Sequence, residues 1–124
     1  MMTPQHFVDV VHEVVYRSAV NDVVANLSEV PRGADATLGN ASAWYNALPP
    51  DARAHARAIA EMAAHHALFG LFCVLDGVRA AESTRDKGRF ILAYNKGGVA
   101  TTLNPPNGEL LHDLLNDAVA RDRR

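Results

Sequence analysis

Apolar residues recur with helical spacing over three stretches of this chain and with strand spacing over one. The longest helical stretch is Pro49 to Gly77, PPDARAHARAIAEMAAHHALFGLFCVLDG. Pro49 and Pro50 suit a first turn, where a missing N–H costs nothing, and Asp51 sets negative charge at the positive end of the dipole. Gly77 is a natural left-handed terminator. At about 100° per residue, Ala52, Ala56, Ile59, Ala63, Ala67, Gly70 and Val74 fall on one stripe, away from Arg53, Arg57 and Glu61. Beyond Ala67 the polar face ends, because Leu68, Leu71, Phe72 and Leu75 stand where the charges had been. A helix apolar on every side must be covered on every side. Either the rest of this short chain wraps that half, or a second copy does.

A second helix is predicted from Thr3-Pro4, a cap and a first-turn proline, to about Ser28. Phe7, Val8, Val10, Val11, Val14 and Val15 form its first apolar arc, and Val20, Val23, Val24 and Leu27 a second on nearly the opposite side. That switch implies a break near Ser18 or a helix with different partners along its length. Glu29 to Asn40, with Pro31, Gly33 and Gly39, reads as a loop, either plain surface linkage or a lid or partner surface. Ala41 to Leu48 is a short helix with Trp44 and Tyr45 pointing different ways, Trp44 being the expected core anchor.

Strand spacing is clearest in RFILAYNK and VATTLN around Gly97-Gly98, a β-hairpin with a two-residue turn. The register sets Lys96 against Val99, Tyr94 against Thr101 and Leu92 against Leu103. Phe90, Leu92, Tyr94, Thr101 and Leu103 then share the face expected to pack on the helices. A lone ribbon is marginal in water. Val78 to Glu82 is therefore expected to add a third strand, or the hairpin to pair across a dimer. Glu109 to about Arg121 is a closing helix with Leu110, Leu111, Leu114, Leu115 and Ala118 inward. The fold class is α+β: long central, N-terminal and C-terminal helices, with an antiparallel hairpin or small sheet near residues 78–104.

Composition narrows the function classes. The chain has 124 residues, enough for the single domain expected over 1–124, and a formal net charge of −2, which offers no basic footprint for a nucleic-acid backbone. The longest apolar run, Ala67 to Leu75, is shorter than the roughly 20 residues that cross a bilayer, and the N-terminus lacks a signal pattern. The one cysteine, Cys73, reads as a small buried hydrophobe without a disulfide partner. These features predict a cytoplasmic protein with neither nucleic-acid nor membrane partners.

Three runs carry a family likeness: Trp44 to Pro49 (WYNALP), Phe69 to Val78 (FGLFCVLDGV), and Leu103-Asn104 through Leu111-His112-Asp113-Leu114. They resemble a group of small bacterial proteins of unassigned function. The likeness implies a bacterial cytoplasmic origin and brings no activity with it.

Chemistry is sought among the six histidines. His12-Glu13 is followed by Tyr16 where a zincin needs its second histidine. His65 and His66 diverge by about 100°, and His55 and His66, on similar faces, stand roughly 16 Å apart along the axis. Glu61 and His65, four apart, are the one local pair with helix-face geometry. As catalytic candidates Glu61, His65 and His112 are retained, with His65 and His112 as metal candidates; the alternative for Glu61 and His65 is a solvated ion pair. Asp113 and Asp117 share a wet helix face. Asp76 is expected to bond N–H groups in its own turn. No serine elbow, phosphate loop or dinucleotide fingerprint is present, so no cofactor is predicted.

Three functions follow as expectations. The favoured one is a small noncatalytic domain acting through protein–protein interaction or homodimerisation. The second is a metal-dependent or acid–base enzyme on the His/Glu group. The third is a small-molecule binder with an apolar pocket near Trp44, Tyr45, Phe69 and Phe72.

Overall fold

The computed structural model describes residues 1–123. Its elements are α1 (Pro4–Val11), a π-helical segment (His12–Arg17), α2 (Ser18–Ser28), α3 (Ala36–Asn46), α4 (Pro50–Asp76), β1 (Ala93–Lys96), β2 (Val99–Thr102) and α5 (Leu111–Arg121). This is the mainly helical α+β fold expected. The core is built where α1, the π segment and α2 meet α4 and α5, from Val8, Tyr16, Val20, Phe72, Leu111, Leu114, Leu115 and Val119.

The N-terminal helix runs on past Ser18 without a break, through the π segment. Val8, His12, Tyr16 and Val20 are its buried residues. Residues four apart drift by about 40° per step in an α-helix, and the wider i→i+5 turns take that drift back. One face therefore stays on the core from Val8 to Val20. Val10, Val14 and Val15, expected in the first apolar arc, are exposed instead.

The loop after Ser28 ends five residues sooner than expected. Asp35 caps α3 by accepting from Leu38 N–H at 3.0 Å, so residues 36–40 are helical despite Gly39. Ser42 Oγ and Asn46 Nδ2 donate to the Leu27 carbonyl and tie α3 to the end of α2. Tyr45 is buried on this side, with the Arg53 guanidinium 5.6 Å from its ring centre. Trp44 is 57% exposed, so the core anchor of the pair is Tyr45.

Gly77 closes α4 at φ 78°, as expected. The hairpin has the expected register, Lys96↔Val99 to Ala93↔Thr102, and Leu103 N–H donates to the Leu92 carbonyl beyond it. Val78 to Glu82 is irregular and adds no strand. With only two short strands, the hairpin is held at its base: Leu103 is buried and Leu92 half-buried, whereas Phe90 and Tyr94 of the expected packing face are exposed. Buried Asn104 makes that base, its Oδ1 accepting from Leu92 N–H and its Nδ2 donating to the Leu75 and Phe90 carbonyls.

α5 begins at Leu111, two residues later than expected, and its N-cap Leu110 has no side chain able to cap. Asp76, at the end of α4, supplies the missing acceptors. Its carboxylate takes the N–H groups of Leu111 and His112, each at 2.9 Å, rather than those of its own turn. A carboxylate at a helix N-terminus satisfies orphan donors and meets the positive end of the dipole.

Candidate functional site

α4 packs through its heavier side. Ala60, Ala64, Leu68, Phe69, Phe72 and Leu75 face the core cluster, because Leu and Phe remove far more apolar area from water than Ala does. The stripe marked out in the sequence lies on the other side and is left uncovered. Ile59 is 60% exposed and Ala63 and Ala67 are exposed; Ala52, Ala56, Gly70 and Val74 are partly so. Met62 at 48% and Leu71 at 52% flank the stripe, together with exposed His66. Among the described residues the chain does wrap the half beyond Ala67, where Phe72 and Cys73 are buried and only Leu71 is exposed, so what stays open is the stripe from Ile59 to Ala67. By length and composition alone α4 is apolar enough to cross a membrane, with a mean hydropathy of 1.6 over 18 residues, although its opposite face carries the packed core.

The imidazoles are dispersed. Glu61 lies 3.6 Å from Arg57, not on His65. His65 Nε2 instead meets Asn116 Oδ1 of α5 at 2.8 Å. His112 Nδ1 donates to Asp76 Oδ2 at 2.6 Å, and its Nε2 stands 3.4 Å from Asp113. Phe69 separates the two rings, edge-on to His65 at 6.3 Å and to His112 at 5.4 Å. Glu61, His65 and His112 thus each have a different partner. Among the described residues, no three His, Cys, Asp or Glu side chains gather as metal ligands. Cys73 is buried.

The four aromatic candidates are divided as well. Trp44 and Tyr45 sit by the first turns of α4, where Arg53 reaches Tyr45. Phe72 is packed on Phe7 in the core, with ring centres 6.0 Å apart. The 19 residues from Arg53 to Phe72 amount to roughly 28 Å of helix. Neither cavity described below contains any of the four.

One polar cluster was not legible in the sequence. Buried His12 stacks on Tyr16 with ring centres 5.3 Å apart and bonds Asp122 at 2.7 Å, and Asp122 also accepts from Arg17 Nη2 at 2.6 Å. Tyr16, Arg17, Asn21, Arg57, Glu61 and Asp122 line a cavity of about 210 Å³ beside the π segment. Burial, with Glu61 and Asp122 nearby, pushes the Tyr16 phenol above its ordinary value. Burial also works to raise the Asp122 carboxyl, but hydrogen bonds from Arg17 and His12 outweigh it and hold that group low. With 110 residues between His12 and Asp122, no sequence spacing announces the cluster. A larger open cleft of about 800 Å³ lies between the end of α4 and the segment after it, lined by Val78, Arg79, Lys87, Arg89, Phe90 and Pro106 among others.

The lowered Asp122 carboxyl makes a pH prediction. A carboxylate that ionises more readily folded than unfolded stabilises the fold above its unfolded pKa of about 3.9. That contribution is lost as pH falls through the lower folded value. Between about pH 5 and pH 2 the wild-type Tm should therefore fall more steeply than that of Asp122→Asn. Parallel curves would show that Asp122 has no part in the acid response.

No family model matches the chain, and neither a curated protein nor a solved structure shows significant similarity to it.

Proposed function

We propose that this chain is a noncatalytic protein that works by assembly with another polypeptide chain, through the uncovered apolar face of α4. One observation carries the reading: the stripe around Ile59, Ala63 and Ala67 stays open to water although the opposite face of the same helix is packed. Scattered exposed apolar residues are ordinary, but a contiguous apolar face is a mark of an interaction surface. Supporting it, Glu61, His65 and His112 each turn to a separate partner, whereas an acid–base or metal site on them needs convergent groups.

Sedimentation equilibrium at about 10–100 μM tests it, a range that detects micromolar association. The wild-type chain should sediment well above its monomer mass of 13.4 kDa. Ile59→Glu should weaken association by at least roughly 100-fold, because it removes a buried isoleucine and buries a charge in its place. Its far-UV circular dichroism should not change. Two monomeric samples, or an Ile59→Glu protein that assembles like wild type, would overturn the reading.

A further inference from the structure

We infer that the occupant of the α4 face is a second copy of this chain, paired antiparallel about a two-fold axis through Ala63. The inference rests on the assembly reading above and specifies the partner and its register.

The stripe is self-complementary in that register. Turning a copy about Ala63 sets residue i against residue 126 − i, since 63 is the midpoint of Pro50–Asp76. Val74 then meets Ala52 of the copy, Gly70 meets Ala56, Ile59 meets Ala67, and Ala63 meets itself. Both β-branched residues face an alanine, and Gly70 faces another small residue. Large side chains then interleave with small ones and the backbones approach closely around Ala63; over Gly70 the Arg79 guanidinium, its Nη1 2.8 Å from where a Cβ would stand, swings aside to let Ala56 of the copy in. A parallel pair would stack Ile59 on Ile59 and Val74 on Val74. An isologous contact of this kind closes on itself as a dimer.

Charge favours the same occupant. Between Ala58 and Leu75 the only formally charged residue of α4 is Glu61, which lines the Tyr16 cavity rather than the stripe. From Ile59 to Ala67 the face is neutral and is matched by another neutral face; the Arg79 guanidinium lies over Gly70, nearer the helix end. Antiparallel alignment also sets each positive helix end beside the partner's negative end. A membrane-surface helix, by contrast, carries Lys and Arg along its polar face. α4 has only Arg53 and Arg57, and both are engaged within the chain, Arg53 with the Leu48 and Asn46 carbonyls and Arg57 with Asn21.

Area is sufficient. A 27-residue helix is about 40 Å long and about 10 Å across with its side chains. Two such faces laid together, widened by Met62, His66 and Leu71, remove on the order of 1,000 Å², the threshold for a specific interface.

Cysteine pairing tests the register in a Cys73→Ala background, under mild oxidation and with sedimentation in parallel. Ala63→Cys should form a disulfide dimer, because only the two-fold position places identical Cβ atoms about 4 Å apart. Ile59→Cys alone should not, since its copy lies about 12 Å away along the axis. Ile59→Cys mixed with Ala67→Cys should cross-link. Self-linkage of Ile59→Cys would establish a parallel pair and overturn the inference. A dimer abolished by Ile59→Glu but linked by none of these cysteines would overturn the register and leave the assembly reading standing. A monomer would sink both. Flotation of a monomeric chain with phosphatidylcholine–phosphatidylglycerol vesicles, lost on Ile59→Glu, would assign the face to a lipid surface instead.

Discussion

Replacing Asp76 by alanine is expected to remove roughly 3–5 kcal/mol of stability, because it strips the acceptor from three hydrogen bonds at once. The side chain is almost wholly buried and serves three donors: the Leu111 and His112 N–H groups and His112 Nδ1. Alanine leaves all three without an acceptor, two of them at the start of a helix with no cap of its own. Each orphaned buried donor costs about 1–3 kcal/mol. Against a total of about 5–15 kcal/mol for a domain of this kind, the loss is a large fraction. In urea the unfolding midpoint should fall with the slope unchanged. Asp76→Asn should fall between wild type and alanine, because its amide oxygen still accepts while its NH₂ confronts a donor. A cost below about 1 kcal/mol for the alanine variant, the net worth of an ordinary hydrogen bond, would mean that water replaces the carboxylate and that the α4–α5 junction does not depend on it.

Asn104 is the second point of large effect. Asn104→Ala should cost roughly 2–4 kcal/mol, since one buried side chain closes three bonds to three separate backbone groups. Asn104→Asp should cost more at neutral pH. A carboxylate still accepts from Leu92 N–H, but its other oxygen confronts the Leu75 and Phe90 carbonyls. The loss should appear first in the hairpin. Apart from half-buried Thr101, β1 and β2 are exposed and are held to the helices at the base, so hydrogen exchange near residues 92–103 should accelerate while the α4 and α5 amides stay protected. Uniform acceleration through the chain would instead make Asn104 part of the global unfolding unit.

Asp76 was visible in the sequence only as a turn former, and Asn104 only as the end of the VATTLN run. Asp76-Gly77 has the composition of a helix end, and the prediction that Gly77 stops α4 holds. That the same carboxylate reaches 35 residues ahead to start α5 is decided by how the two helices pack. Trp44 and Tyr45 show the same limit. Adjacent positions on a helix must point apart, so one ring in and one out was legible. The ring chosen for burial depends on α3 lying against the end of α2, with Arg53 beside Tyr45. Glu61 and His65 had the spacing of a pair, yet Glu61 turns back along the helix to Arg57 and His65 turns to Asn116 of α5, a neighbour brought by folding.

Local physics therefore determined the helices, the Gly77 stop and the hairpin register, since periodicity, left-handed glycines and turn length act within a few residues. The apolar stripe on α4 was equally plain; the cover called for was that of the half beyond Ala67, which the fold largely supplies. Which side of α4 would meet the core was not plain. The stripe of alanines and the side bearing Leu68, Phe72 and Leu75 both read as apolar. The heavier side turned inward because α1, α2 and α5 offered it a larger area to bury, and that comparison exists only once the helices are assembled.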